Sequence, residues 1–141
     1  LKNEKNFCFT YGDGLSDIDI SQSLKFHLSH KKLITISAVQ APGRYGSLDC
    51  KGDQVKSFVE KPRGDNSYIN GGFLVVSKKA LNFIKGDETS WEEETIKMLA
   101  LKKEVMAFKH KGFWYAMDTL RDKNYLQNIW GKKIAPWKKW K

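Results

Sequence analysis

Two aspartates directly follow predicted strands, where an open α/β fold places its ligands. Asp13 follows the apolar run 7–11 and lies between two glycines, and Asp118 follows the run 113–117 at the predicted start of a helix. Because ligands collect at the carboxyl ends of the strands in such folds, we expect both carboxylates at one sheet edge. They suit Mg²⁺, which takes few protein oxygens beside substrate phosphates. The alternatives are a turn residue for Asp13 and a helix N-cap for Asp118.

A second pair of polar residues ends another predicted strand. Glu60 and Lys61 precede Pro62, so a hydrogen-bond acceptor stands beside a cation at a proline stop. The glutamate is able to accept from sugar hydroxyls, and the lysine is able to neutralise a phosphate as a point charge. The alternative is an exposed strand end without a ligand.

Glycines mark two further places where a backbone could approach a ligand. Gly71 and Gly72 follow Asn70 inside a strand pattern, and paired glycines weaken a strand unless a bulge or a ligand needs the space. Both explanations stay open. Gly46 ends the loop 42–46, where it is able to bring the backbone against a ligand in the same way.

The histidines and cysteines predict no site. His27 and His30 share a helical face but lack a third ligand nearby, so we expect surface histidines, and His110 between lysines is expected to be exposed. Cys8 and Cys50 have neither metal nor redox spacing, which favours a reducing cytoplasm. The sequence contains no glycine-rich phosphate loop, no nucleophile elbow and no Cys/His pair suited to covalent catalysis.

The elements that must position these residues alternate between strand and helix. Strands are predicted at 7–11, 33–39, 48–51, 55–60, 69–76, 105–109 and 113–117, and helices at 19–30, 78–84, 90–101 and 119–130. Strand 7–11 is predicted to be buried. The expected core faces are Ile20, Leu24 and Leu28 in the first helix and Leu126, Ile129 and Trp130 in the last. This order predicts an α/β fold with a largely parallel sheet and an inserted hairpin at residues 52–53.

Composition limits the possible classes. The chain has 141 residues, of which 40% are hydrophobic and 13% aromatic, so it is neither disordered nor collagen-like. No apolar run approaches the roughly 20 residues that a bilayer span needs. A net charge of +9 favours anionic partners. Only Arg44, Arg63 and Arg121 among the 25 basic residues are arginines, which disfavours nucleic acid.

The last ten residues are a lysine-rich tail that contains Trp137 and Trp140. Such a tail is able to stack on and neutralise a single nucleic-acid strand. The simpler interpretation is a solvated end whose aromatic rings fold back on the body of the protein.

Taken in order, the motifs resemble those of the sugar-1-phosphate nucleotidyltransferases. They are Tyr11-Gly12-Asp13-Gly14, Pro42-Gly43-Arg44-Tyr45-Gly46, Glu60-Lys61-Pro62, Asn70-Gly71-Gly72-Phe73 and Met117-Asp118-Thr119. The closer matches are similar to the family members that use CTP and α-D-glucose 1-phosphate; they are 9–14, 90–92, 112–114, 117–123 and 135–137. The resemblance spans essentially the whole chain.

The resemblance implies a Rossmann-like nucleotidyltransferase fold, with a mostly parallel mixed sheet, and transfer of CMP from CTP to glucose 1-phosphate. It implies that Asp13 and Asp118 hold Mg²⁺ and act in catalysis with Lys61, which faces the sugar phosphate. Tyr11 and Gly12 would lie near the nucleoside. The glucose would be lined by Gly46, Glu60, Asn70, Gly71 and Gly72.

In that family a glycine-rich nucleotide loop and the first strands precede the Tyr-Gly-Asp strand, and this sequence contains neither. We therefore expect residues 1–141 to be the carboxyl-terminal portion of one nucleotidyltransferase domain, inactive alone. The resemblance also implies a cytoplasmic homo-oligomer that serves O-antigen biosynthesis, with neither nucleic acid nor membrane as partner. The alternatives are a thymidylyl- or uridylyltransferase, a basic nucleic-acid-binding module that uses the tail, and a non-catalytic remnant.

Overall fold

A four-stranded mixed sheet forms the centre of the computed structural model, which describes residues 3–43, 47–59 and 67–140. Its strands are β1 (Asn6–Thr10), β3 (Ile34–Val39), β6 (Ile69–Ser77) and β7 (Val105–His110), in the spatial order β1-β6-β3-β7. β6 runs antiparallel to β1 and β3, and β3 runs parallel to β7. Three of these four strands share one direction, and the predicted α/β fold with a mixed sheet is confirmed. The sheet is less parallel than predicted, because within it only the β3–β7 pairing is parallel.

Two small antiparallel ladders accompany this sheet. β2 (Gly14–Ser16) pairs with β8 (Trp114–Ala116), and β4 (Ser47–Lys51) pairs with β5 (Gln54–Val59). The second ladder is the predicted hairpin, and its turn residue Gly52 has a φ of 59°, which glycine adopts at little cost. The hairpin forms a sheet of its own, as expected of an insertion.

Helices begin where capping residues were predicted. Asp19 accepts a hydrogen bond from Gln22 N at 2.9 Å and begins α1 (Ile20–His30). A short 3-10 helix covers Lys78–Phe83. Ser90 then begins a π-helical turn (Trp91–Ile96) that continues into α2 (Lys97–Leu101). α3 comprises Leu120–Gly131. Among the described residues, no helix is long and apolar enough to cross a membrane.

The main core lies between the sheet and the helices of residues 78–101. Its buried members are Ile34, Leu74, Val76, Ala80 and Leu99. Leu99 and Ile34 are fully buried, and truncating such a leucine to alanine typically costs about 2 to 5 kcal/mol. The core therefore ties the helical segment to the strands that carry the predicted site.

The predicted core face of α1 is wrong. Ile20 is 44% exposed and Leu28 is 55% exposed, whereas Ser23 and His27 are 3% exposed. The reason is that α1 docks through polar groups: His27 Nδ1 lies 2.9 Å from the hydroxyl of Thr35, a buried residue of β3. The prediction of a surface histidine is therefore also wrong for His27.

Two other burial predictions need correction. β1 is an edge strand of the described sheet, and its Phe9 is 38% exposed, so the strand is not fully buried. In α3, Leu126 is buried as predicted, but Trp130 is 48% exposed. Trp130 instead stacks on Trp137, which also packs against Phe113 with ring centroids 5.3 Å apart. The tail therefore folds back on the body, as the simpler interpretation predicted.

Candidate functional site

A cleft of about 450 Å³ lies at the sheet edge that was expected to bind ligands. The carboxyl ends of β1, β3 and β7 point to this edge, and antiparallel β6 starts there. The lining of the cleft includes Gly43 after β3, Ile69 in β6, Trp114 in β8, and Asp118 and Arg121 around the start of α3. The cleft therefore joins elements that are far apart in sequence.

The structure brings Asp13 and Asp118 to the same edge. β2 and β8 pair Gly14 with Ala116, and Met117 N donates a hydrogen bond to Asp13 O at 2.9 Å. This bond extends the ladder by one residue, so Asp13 lies across from Met117, the neighbour of Asp118. Both aspartates are exposed. The backbone thus places the two aspartates close together at one end of the β2–β8 ladder, and their sharing of an ion stays a prediction.

Asp13 and Asp118 suit a Mg²⁺ ion that is coordinated partly by the protein and partly by water and substrate. Mg²⁺ commonly binds one or two protein carboxylates and completes its octahedron with water and substrate phosphates. Asp13 and Asp118 offer two exposed carboxylates, and the described residues contain no cluster of three or more His, Cys, Asp or Glu that could hold a metal ion. The donor set therefore fits an ion that the substrate helps to coordinate, and not a closed protein cage.

The N-cap of α3 is Thr119, which removes the capping alternative for Asp118. The Thr119 side chain accepts from Asp122 N at 3.3 Å, and Thr119 N donates to Asp122 Oδ2 at 3.0 Å. These reciprocal bonds form a capping box. Asp122 is 5% exposed and also accepts from the Tyr115 hydroxyl at 3.2 Å. The capping box and Tyr115 therefore hold the helix start that follows Asp118.

Asp17, which follows β2, is hydrogen-bonded to Phe113, which precedes β8. Its Oδ1 accepts a hydrogen bond from Phe113 N at 2.7 Å and lies 2.9 Å from His110 Nε2, and Asp17 N donates to Phe113 O at 3.1 Å. The side chain of His110 is only 13% exposed, so the prediction of an exposed histidine is wrong. Asp17 was not identified from sequence, because its partners lie more than 90 residues away.

The paired glycines form a bulge in β6. Ile36 pairs with Leu74 but Ala38 pairs with Asn70, so β6 has extra residues at this point. A Cβ on Gly71 would lie 2.8 Å from Val39 Cγ1, and Gly72 has a φ of 74°. Packing and backbone conformation therefore account for both glycines without a ligand.

Tyr11 ties this bulge to the end of β1. Tyr11 N donates to Gly72 O at 3.0 Å, and the Tyr11 hydroxyl donates to Glu92 Oε1 at 2.5 Å. Asn70 Nδ2 donates to the same hydroxyl at 3.1 Å. Burial, followed by the hydrogen bond to Glu92, raises the pKa of Tyr11 to about 12. The structure thus brings together Tyr11, Asn70 and Gly72, and adds Glu92, for which the sequence showed only a nearby capping motif.

Three predicted site residues lie outside the described residues. They are Gly46, Glu60 and Lys61. Gly12 is exposed between Tyr11 and Asp13. Their proposed roles stay predictions.

Comparison with protein families matches residues 1–127 to the family described as Nucleotidyl transferase. The chain is 50% identical over 140 residues to glucose-1-phosphate cytidylyltransferase of Salmonella typhimurium (strain LT2), covering 99% of this chain and 54% of that protein. It is 32% identical over 138 residues to a probable glucose-1-phosphate cytidylyltransferase of Bacillus subtilis (strain 168), covering 97% and 54%. The chain therefore spans about half the length of these curated relatives.

Solved structures give the same architecture. HddC from Yersinia pseudotuberculosis superposes with a TM-score of 0.63 at 27% identity, covering 91% of this chain and 56% of that chain. A putative glucose-1-phosphate thymidylyltransferase from Bacillus anthracis superposes with a TM-score of 0.60 at 14% identity, covering 87% and 53%. At 14% identity the second likeness concerns the fold alone.

Proposed function

The chain belongs to the nucleotidyl transferase family, and from this premise we propose that it is part of a glucose-1-phosphate cytidylyltransferase. Such an enzyme transfers CMP from CTP to α-D-glucose 1-phosphate, which gives CDP-glucose and pyrophosphate. The observation that carries the proposal is the 50% identity, over nearly the whole chain, to relatives with that name. Because the chain spans about half of those relatives, the reaction is proposed for the whole protein.

Within that protein, we place residues 1–141 as the carboxyl-terminal portion of a single nucleotidyltransferase domain. We also propose that the whole protein is a cytoplasmic homo-oligomer that serves O-antigen biosynthesis.

The proposed reaction needs alignment and charge neutralisation, and no protein nucleophile. A phosphate oxygen of glucose 1-phosphate attacks the α-phosphorus of CTP in line, and pyrophosphate leaves. Asp13 and Asp118, whose backbones the β2–β8 ladder holds together, would bind Mg²⁺. When bound, the ion neutralises charge on the phosphates.

The glucose is proposed to lie near the bulge of β6. Asn70 is exposed there, and its side chain is held by Tyr11 and Gly72 N. By the family resemblance, Gly46, Glu60 and the backbone of Gly71 and Gly72 would line the sugar, and Lys61 would face its phosphate. The backbone at Tyr11 and Gly12 would lie near the nucleoside.

Activity is best tested on this chain joined to the part of the Salmonella relative that it does not span. The joined protein should form CDP-glucose and pyrophosphate from CTP, glucose 1-phosphate and Mg²⁺. Parallel reactions with dTTP and UTP measure the choice of base. A preference for dTTP or UTP would show that the enzyme is a thymidylyl- or uridylyltransferase and not a cytidylyltransferase. No turnover with any of the three nucleotides would refute the proposed reaction.

A further inference from the structure

Glu92 ends a chain of hydrogen bonds that begins at the bulge of β6. Gly72 N donates to Asn70 Oδ1 at 2.9 Å, Asn70 Nδ2 donates to the Tyr11 hydroxyl at 3.1 Å, and that hydroxyl donates to Glu92 Oε1 at 2.5 Å. The chain joins three separate segments, because Glu92 lies 81 residues from Tyr11 and Asn70 lies 59 residues from it.

This series of hydrogen bonds can run in only one direction from donor to acceptor. The backbone N–H of Gly72 is always a donor, so Asn70 must present its oxygen to Gly72 and its NH₂ group to Tyr11. The tyrosine oxygen then accepts, which leaves its proton for Glu92, and an ionised carboxylate can only accept. Gly72 N–H thus sets which end of the Asn70 amide faces the bulge, and Glu92 takes the Tyr11 proton so that the tyrosine oxygen accepts from Asn70 Nδ2 and holds the amide in place.

The fixed amide keeps one N–H unused within the described part of the chain. Asn70 Nδ2 carries two protons, and its only hydrogen bond there is to Tyr11. The residue is exposed, so the second N–H is accessible to a ligand. A flipped amide would present a carbonyl oxygen instead. The orientation therefore decides whether Asn70 donates to a sugar hydroxyl or accepts from it.

We propose that Glu92 is a positioning residue that acts through Tyr11 to hold Asn70 with an N–H donor directed to a hydroxyl oxygen of the sugar phosphate. This inference rests on the proposed function, which places Asn70 beside the glucose. Glu92 lies on a π-helical turn, a geometry that is frequent at functional sites. The buried Leu99 and Thr95 anchor the segment that carries this turn.

The test measures KM for glucose 1-phosphate, KM for CTP and kcat in the joined protein described above. Glu92→Ala should raise KM for glucose 1-phosphate about tenfold, while KM for CTP and kcat change less than about twofold. Glu92→Gln keeps an acceptor oxygen but loses the charge-assisted bond, so its KM should rise about threefold. Glu93→Ala is the matched control, because Glu93 is an exposed neighbour whose carboxylate forms no hydrogen bond or ion pair with a described residue, while its backbone N–H bond to Ser90 is kept in the variant. Its KM should not change.

Tyr11→Phe tests the route of the effect. This variant keeps the ring and removes the hydroxyl, so it should raise KM for glucose 1-phosphate as Glu92→Ala does. In the double variant the two effects should not add, because both changes break the same chain. Additive effects would overturn the inference, as would equal increases in both KM values together with a lower Tm in Glu92→Gln.

Asn70→Ala separates this inference from the proposed function. If Asn70→Ala raises KM for glucose 1-phosphate and the Glu92 variants do not, the positioning role is wrong and the proposed function stands. If Asn70→Ala changes no kinetic constant, the placement of Asn70 beside the glucose is wrong, and the inference fails with it. Absence of cytidylyl transfer by the unmodified joined protein would overturn both.

Discussion

Acidification should destabilise this chain through two neighbouring histidines that pack between α1 and β3. His27 Nδ1 and His30 Nε2 lie 2.9 and 2.8 Å from the same Thr35 hydroxyl. His30 Nδ1 accepts from Lys32 N at 2.9 Å, and His27 Nε2 lies 3.3 Å from Asn6 Oδ1. Neutral imidazoles satisfy all four contacts, with Thr35 accepting from His30 and donating to His27.

Protonation would break this arrangement at both rings. A proton on His30 Nδ1 would face the N–H of Lys32, so two donors would meet. A proton on His27 Nδ1 would oppose the hydrogen that Thr35 donates. Burial lowers the pKa of both histidines, and in His27 the neighbouring His30 lowers it further.

The sign and size of the effect follow from proton binding. As pH falls below about 6.5, the unfolded chain takes up protons that the folded chain resists, so the free energy of unfolding decreases. The maximum slope is about 1.4 kcal/mol per pH unit for each histidine, or about 2.7 kcal/mol for both while both stay neutral in the folded state. The loss should therefore begin near pH 6.5 and stop below the folded-state pKa values.

Urea unfolding followed by tryptophan fluorescence, at intervals between pH 7.5 and 5, measures this free energy. The double variant His27→Gln/His30→Gln serves as the control, since it removes both titrating groups. It should be less stable at pH 7.5 and have a flatter pH dependence between pH 6.5 and 5. A free energy of unfolding that is constant over this range in the unmodified chain, or an equal slope in the variant, would refute the reasoning.

Two further predictions concern the sheet edge and the bulge. In the joined protein, Asp118→Asn should reduce turnover by about a hundredfold with Tm nearly unchanged, because Thr119 and not Asp118 caps α3; a lower Tm with normal turnover would contradict the metal role. Gly71→Ala should destabilise the chain by about 1 to 3 kcal/mol in urea unfolding, because its Cβ would lie 2.9 Å from Ser37 O. Gly86→Ala, with open space around its Cβ, is the control, and equal stability of the two variants would contradict the packing argument.

Features that depend on residues close in sequence were predicted well. The cap at Asp19, the hairpin turn at Gly52 and the start of α3 at Thr119 are confirmed. Each depends on contacts within about four residues, so the local sequence contains both partners. The capping box at Ser90 was only half right: Glu93 N donates to Ser90 Oγ, but Glu94, and not Glu93, returns the bond to Ser90 N. The first turn is π-helical, which shifts the returning side chain by one residue.

The buried face of α1 could not be predicted from its own residues. A four-residue repeat of Ile20, Leu24 and Leu28 indicates an apolar face, but the helix docks with Ser23 and His27 inward. Thr35 on the opposing strand supplies the hydroxyl that makes this orientation favourable. The spacing of apolar residues in a helix contains no information about which side chains the facing strand contributes, here the hydroxyl of Thr35.

At the candidate site, residue types and their place after strands selected Asp13 and Asp118 from the sequence, and their metal role stays a prediction. The structure places Asp13 just before β2 and Asp118 just after β8, at the same end of the antiparallel β2–β8 ladder. The sequence did not determine the bond between Met117 N and Asp13 O or the path from Glu92 through Tyr11 to Asn70. Hydrogen bonds require donor and acceptor within about 3 Å. For groups separated by 59 to 104 positions, only the folded chain decides which of them come that close.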